Sequence, residues 1–271
     1  MYICPKCGLP LKRTERSMRC DSNHSYDIAS QGYVNLLLGS KSTSKHGDNK
    51  SMINARRSFL RLGHYEPIIK EASRLIASRS KLNTRILDAG CGEGYYTDGI
   101  YRRLTENHGL STEIYGIDVS KEAVIKAAAA YKKPNFSVAS VNELPFADSS
   151  FDFVLSLFAP LAENEFARVL TENGILITVS PSPRHLFGMK KEIYDTPYEN
   201  PVSTFSPTFF RKIDEHIFTS EMTLDSTEDI LNLFDMTPYC YNTGKVGIER
   251  IKALKTLTTE IGFVFGVYQK I

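Results

Sequence analysis

The sequence predicts an α/β fold, a doubly wound and mostly parallel sheet with a small zinc-binding module at its N-terminus. Three observations lead there. Residues 85–98 read as a short apolar strand, a turn with Gly90, Gly92 and Gly94 at alternate positions, and a helix start. After them, apolar runs alternate with helical patterns, the order that builds a parallel sheet covered on both faces. Before them, Cys4, Cys7, Cys20 and His24 stand in a C-x2-C-x12-C-x3-H pattern. A chain of 271 residues suits one large domain and one small one.

Residues 1–38 form the small module. Three thiolates and an imidazole at this spacing suit a tetrahedral zinc ion, and four protein ligands leave no open position, so the site is structural. Pro5 and Gly8 help the knuckle to turn. So short a segment buries little core, and the metal supplies folding energy. The alternative is three buried free cysteines beside an unrelated histidine. His46 and His64 lie off the required spacing. The five cysteines, Cys91 and Cys240 included, make no disulfide framework. Residues 26–38 are expected to pack the knuckle against the next segment.

Residues 39–80 read as a basic loop and connecting helices. The stretch 39–51 is polar, either a plain linker or a loop whose lysines meet phosphates. Residues 52–62 have helical apolar spacing, with Arg56, Arg57 and Arg61 on one face and Gly63 at the end. A second helix covers 67–78, and Tyr65 lies in the junction, where a tyrosine usually packs.

Residues 81–271 hold the α/β domain. A first strand at 86–88 leads through the glycine turn to a helix at 95–104. A second strand, 113–118, ends in Asp118, 24 residues beyond Gly94. An acid there suits the two hydroxyls of a ribose. A helix at 121–131, a strand at 135–139, a polar loop at 140–148 and a strand at 151–158 come after it. Next come a helix at 163–170, stopped near Gly174, and a strand at 175–179. Pro181, Pro183 and His185 then break regular structure. Beyond 186 the pattern weakens: helices are expected at 187–198 and 227–234, with Thr227 as an N-cap, and a last strand at 261–269.

The glycine turn carries the chemistry. Glycine lets backbone approach a ligand closely, and a helix start offers free N–H groups. The order Gly-x-Gly-x-Gly puts Tyr95 where a dinucleotide turn wants Gly or Ala, which argues against NAD. Asp88, just before the turn, can meet an ammonium group. The stretch resembles the cofactor loop of the class I S-adenosylmethionine (SAM) methyltransferases, a Rossmann-like fold. The bland alternative is a turn that only links a strand to a helix.

The net charge of +2 hides an asymmetry, because residues 1–61 carry eleven Lys/Arg against four Asp/Glu. A basic end on an acidic body suggests a polyanionic partner, or merely a solvated surface. No apolar run approaches the roughly 20 residues of a membrane span, and the first residues do not read as a signal peptide, so a cytoplasmic protein is expected.

Taken together, CPKC at 4–7 with Cys20 and His24, GYVNLL at 32–37, ARR at 55–57, GHY at 63–65, DAGCGEGYYT at 88–97 and PRHL at 183–186 resemble the bacterial 23S rRNA guanine-N1 methyltransferases. The resemblance covers nearly the whole chain. It implies a SAM-dependent enzyme acting on a guanine in hairpin 35 of domain II of 23S rRNA, and a homodimer whose zinc modules line an RNA cleft. It implies zinc on Cys4, Cys7, Cys20 and His24. It implies cofactor contacts from Tyr65, Asp88, Gly90, Gly92, Gly94, Tyr96, Thr97, Asp118 and His185, with the adenine near residues 140–142. Read without it, His185 is a loop histidine held by local hydrogen bonds.

Methyl transfer from a sulfonium needs in-line alignment above all. Guanine N1 carries a proton, so a base is expected. Asp148, Asp152, Glu163, Glu165 and His185 are all candidates, and the catalytic residue stays open. The target guanine must also be unpaired or flipped to expose N1. Residues 158–160 follow the fourth strand at the end where substrates approach, and Phe158 either stacks on the guanine or packs in the core. Arg56 and Arg57 are expected on the RNA-facing surface, the alternative being that they pair with acids of the α/β domain. Two rival readings are a non-catalytic zinc-ribbon RNA-binding protein and a small-molecule methyltransferase. The intact glycine loop and Asp118 oppose the first. The zinc knuckle and basic N-terminal segment oppose the second.

Overall fold

Strands rich in β-branched and aromatic residues build the main sheet at the centre of the core, beside a smaller N-terminal sheet. The computed structural model describes residues 1–38, 49–202 and 205–271. The predicted loop at 39–51 falls largely outside them. Three short strands, β1 (Lys12–Arg13), β2 (Ser17–Arg19) and β3 (Ser25–Asp27), make an antiparallel sheet in that order. Among the described residues the main sheet has eight strands. They are β4 (Val34–Asn35), β5 (Asn83–Ala89), β6 (Ser111–Asp118), β7 (Asn135–Val138), β8 (Phe151–Leu157), β9 (Leu170–Pro181), β10 (Phe210–Leu224) and β11 (Leu257–Lys270). Their order is β10-β11-β9-β8-β5-β6-β7-β4, parallel from β4 through β9, with β11 antiparallel to both its neighbours.

The helices are α1 (Lys50–Leu60), α2 (Glu66–Ala77), α3 (Tyr95–Arg102), α4 (Lys121–Ala130), α5 (Glu163–Val169), α6 (Phe187–Ile193), α7 (Thr227–Asp235), α8 (Tyr239–Asn242) and α9 (Lys245–Ala253). Alternate residues of β5 enter different cores. Ile86 packs with Phe59, Ile68 and Phe263, whereas Leu87 packs with Phe146, Phe151 and Phe166. That is the pattern of a strand buried on both faces.

Several element boundaries differ from the sequence reading for local reasons. Helix α1 starts at Lys50 because the Asn49 side chain caps it, accepting the Met52 N–H at 3.0 Å. Ser226, not Thr227, caps α7. The Thr227 hydroxyl donates to the Leu254 carbonyl instead. Helix α6 ends at Ile193, short of the expected 198. Helix α3 runs on into a π-helical turn, Arg103–Asn107. Strand β10 and helix α9 have no counterpart in the sequence reading. Most of β10 is solvent-facing and polar, so no apolar pattern announces it, and its pairing along β11 holds it in place.

The zinc module is rooted on the main sheet at both ends. The Ile3 N–H donates to the Pro145 carbonyl, and the Met1 carbonyl accepts the Ala147 N–H. The Tyr2 ring stacks on Phe146 at 4.8 Å and meets Tyr115 edge-on. At the other end, β4 pairs in parallel with β7, and Tyr33 joins an apolar cluster with Cys91, Phe136 and Val138. Residues 26–38 thus pack on the sheet edge beside the glycine turn and not on the next segment of the chain, which lies largely outside the described residues.

Candidate cofactor and zinc sites

The four expected metal ligands converge. The Cys4 carbonyl accepts the N–H groups of Cys7 and Gly8, with Gly8 at φ +74°. A second turn pairs Cys20 with Asn23 and His24, and Asn23 takes the left-handed conformation that asparagine tolerates. All four ligand atoms lie within 4.8 Å of one another. Cys7 Sγ is 3.7 Å from Cys20 Sγ, and His24 Nδ1 is 3.4 Å from Cys4 Sγ and 3.5 Å from Cys20 Sγ. A tetrahedral zinc with ordinary bond lengths sets S···S edges of about 3.8 Å and S···N edges of about 3.5 Å. The donor set therefore fits zinc in size and chemistry. Tyr26 adds a hydroxyl 3.2 Å from Cys4 Sγ, a donor to the thiolate.

At the main sheet, β5 ends against the glycine turn. The N–H groups of Gly90 and Cys91 both donate to the Ile117 carbonyl. Gly90 has φ +94°, and a Cβ there would lie 2.5 Å from the Ala159 Cβ. Gly94 has φ +85°, and a Cβ would press on Ala127, Phe136 and Tyr131. Both positions exclude a side chain on conformation and on space.

Two acids flank the turn. Asp88 is buried; Thr97 donates to its Oδ2 at 2.6 Å, and Oδ1 has no partner among the described residues. Burial pushes its pKa up to about 7, against the pull of the Thr97 hydrogen bond. A buried, half-satisfied carboxylate is costly, and a cationic group over the turn would return it to its ionised form. Asp118 takes the Gly92 N–H on Oδ2 at 3.0 Å and the Ser120 N–H on Oδ1 at 2.8 Å. Between them these two contacts brace the turn.

Tyr65 and His185 form a buried pair. Tyr65 stands at the N-terminus of α2, edge-on to Phe59 and Phe263. Its hydroxyl is 3.1 Å from His185 Nε2, and His185 Nδ1 accepts the Gly262 N–H at 3.2 Å. Burial, with the nearby Lys190 ammonium, lowers the His185 pKa to about 4. The imidazole is therefore neutral near pH 7, with its proton on Nε2. Nε2–H donates to the Tyr65 oxygen, and Tyr65 keeps its own hydroxyl proton to donate elsewhere. Lys190 in turn donates to Asn200 Oδ1, and Asn200 Nδ2 donates to the carbonyls of Ser182 and His185. The turn that carries His185 is thus held from behind.

Compared with known proteins, residues 80–233 match the methyltransferase domain family, and residues 2–45 match the N-terminal zinc ribbon of RlmA. The chain belongs to the zinc-ribbon methyltransferases of RlmA type. It is 36% identical over 203 residues to a putative 23S rRNA (guanine-N(1)-)-methyltransferase of Micromonospora griseorubida, across 68% of this chain and 66% of that one. It is 33% identical over 186 residues to the 23S rRNA (guanine(748)-N(1))-methyltransferase of Streptomyces fradiae, across 68% of this chain and 64% of that one. A putative 23S rRNA (guanine-N(1)-)-methyltransferase of Bacillus subtilis is 29% identical over 278 residues, across 98% and 97% of the two chains. The aligned stretch thus spans just under two thirds of the first two relatives and nearly all of the third. The cofactors of this zinc-ribbon methyltransferase are SAM and a structural zinc ion.

The candidate bases each meet partners within the protein. Asp152 accepts the Arg85 N–H near the start of β5, the opposite end of the sheet. Asp148 and Glu165 pair with Arg168, and Glu163 accepts the N–H groups of Thr208 and Phe209. His185 has both nitrogens engaged. Arg56 and Arg57 are half-buried and meet partners within the protein. Arg57 Nε lies 3.8 Å from the buried carboxylate of Glu93, and Arg56 donates to the Met236 carbonyl. Burial pushes the Glu93 pKa up to about 7 against the pull of Arg57 and its neighbours. Sequence reasoning passed over Glu93, although its place between Gly92 and Gly94 was a signal. It also passed over Phe263, which is fully buried and touches Tyr65, His185 and Phe158.

Proposed function

We propose that this protein transfers the methyl group of SAM to N1 of a guanine in 23S rRNA, in hairpin 35 of domain II. The observation that carries the reading is the rooting of the zinc module beside the cofactor turn. Tyr33, from the module's tail, shares an apolar cluster with Cys91 of the turn. A basic, metal-stiffened module fixed there suits a large polyanion more than a small metabolite. The names of the three relatives support the same acceptor.

SAM, when bound, supplies a methyl group on a sulfonium. Asp88 offers the negative charge beneath the turn, and Asp118 offers acceptors for ribose hydroxyls. Gly90, Gly92 and Gly94 keep the turn thin, Tyr96 walls it, and Thr97 orients Asp88. Tyr65 offers a hydroxyl donor set by His185. Cys4, Cys7, Cys20 and His24 hold the zinc. The N1 proton leaves to solvent or to one of the candidate bases. The same reading divides the chain at 1–38, 39–80 and 81–271 and takes it as a cytoplasmic homodimer.

The test is incubation of the protein with labelled SAM and unmodified 23S rRNA. Label in the RNA, released on digestion as 1-methylguanosine, is expected. Label in no RNA contradicts the reading.

A further inference from the structure

We propose that the Phe158 ring is the platform on which the target purine stacks when it is brought to the methyl donor. The inference rests on the guanine reading above and names the subsite that receives the base.

Position comes first. Phe158 follows the last residue of β8, at the C-terminal end of the parallel strands, where ligands bind in open α/β sheets. The next residue, Ala159, packs directly against Gly90 of the cofactor turn. A ring at Phe158 therefore borders the place where the acceptor must meet the cofactor.

Conformation and exposure come next. Phe158 has φ +57°, a left-handed backbone that is costly for a bulky side chain. The turn enforces it: the Phe158 N–H donates to the Val179 carbonyl, and Ser156 Oγ donates to the Ala159 carbonyl. Despite its size the ring is 41% exposed, whereas Leu155 and Leu157 just before it are buried. Phe263, fully buried, meets it edge-on at 5.9 Å, and Tyr96 stands at 6.4 Å. A rigid aromatic ring, braced from behind and open on its other side, serves no core. Every base has a π-face that such a ring can take, and a flipped base has left its own stacking partners.

The test compares Phe158→Ala, Phe158→Leu and Phe158→Tyr in the full-length protein with transcribed 23S rRNA. Loss of base stacking lowers kcat/KM for RNA roughly ten- to a hundredfold in the alanine and leucine variants. The tyrosine variant stays close to wild type, and SAM affinity by calorimetry and Tm stay close to wild type in the leucine and tyrosine variants. A leucine variant with full activity overturns the platform and leaves the reaction standing. A leucine variant with a lowered Tm and weakened SAM binding assigns Phe158 to the core and also overturns it. A wild-type protein that methylates no guanine overturns both inferences together.

Discussion

His185 Nε2 donates to the Tyr65 hydroxyl across 3.1 Å, while its Nδ1 accepts the Gly262 N–H. One tautomer is fixed, and Tyr65 is left with a proton to give. Tyr65→Phe strands the imidazole N–H in the core, at a stability cost of about 1–3 kcal/mol. If the free hydroxyl serves SAM, calorimetry on the folded variant shows weaker cofactor binding as well. Unchanged affinity removes the hydroxyl from the site.

The same pair makes a pH prediction. His185 is held at a pKa of about 4, against 6.5 for the ordinary group. As pH falls, the unfolded chain takes the proton first. The stability tied to the neutral imidazole is complete above about 6.5 and is lost between 6.5 and 4, roughly 3 kcal/mol in all. His185→Gln flattens that part of the curve in urea titrations at a series of pH values. A slope identical to wild type contradicts a neutral, buried His185.

Asp88 predicts the pH dependence of cofactor binding. Its pKa near 7 in the free protein reflects burial. A cationic ligand favours the ionised form, so binding expels a proton and SAM affinity rises as pH climbs toward 7. Calorimetry in buffers of different ionisation enthalpy reads the released proton directly. Asp88→Asn abolishes that release. A wild-type protein that binds SAM with no proton released near pH 6.5 contradicts the prediction.

Asp118 has a double task, bracing Gly92 and receiving a ligand. Asp118→Ala is expected to weaken SAM about ten- to a hundredfold, the loss of charge-assisted hydrogen bonds. A folded variant with wild-type affinity shows that the ribose is held elsewhere.

Zinc removal should reach the main sheet. Cys4→Ser and Cys20→Ser are each expected to lose the metal by elemental analysis. Because Tyr2 stacks on Phe146 and β4 pairs with β7, the loosened module exposes a sheet edge and lowers Tm. Retention of one zinc per chain in both variants contradicts the ligand assignment.

The zinc ligands and the glycine turn were legible in the sequence because spacing alone imposes their geometry: a knuckle needs its cysteines three apart, and a left-handed turn needs glycine. The strands of the parallel sheet were legible because burial on both faces writes continuous apolar runs such as 151–158. Strand β10 was not legible, since an edge strand facing solvent carries no such signature. Nor was the aim of α1. Arg56 and Arg57 recur at helical offsets either way, and only the packing against Glu93 and Met236 turns them toward the cofactor turn. His185 was named as a candidate by resemblance. Its role behind Tyr65 depends on Gly262, a partner 77 residues away that no local pattern indicates.

Primer extension on 23S rRNA treated with the protein and SAM tests the central claim most directly. N1 methylation blocks Watson–Crick pairing, so reverse transcriptase is expected to stop beside one guanine of hairpin 35, only when SAM is present. Full-length extension through that hairpin, or a stop outside it, contradicts the account.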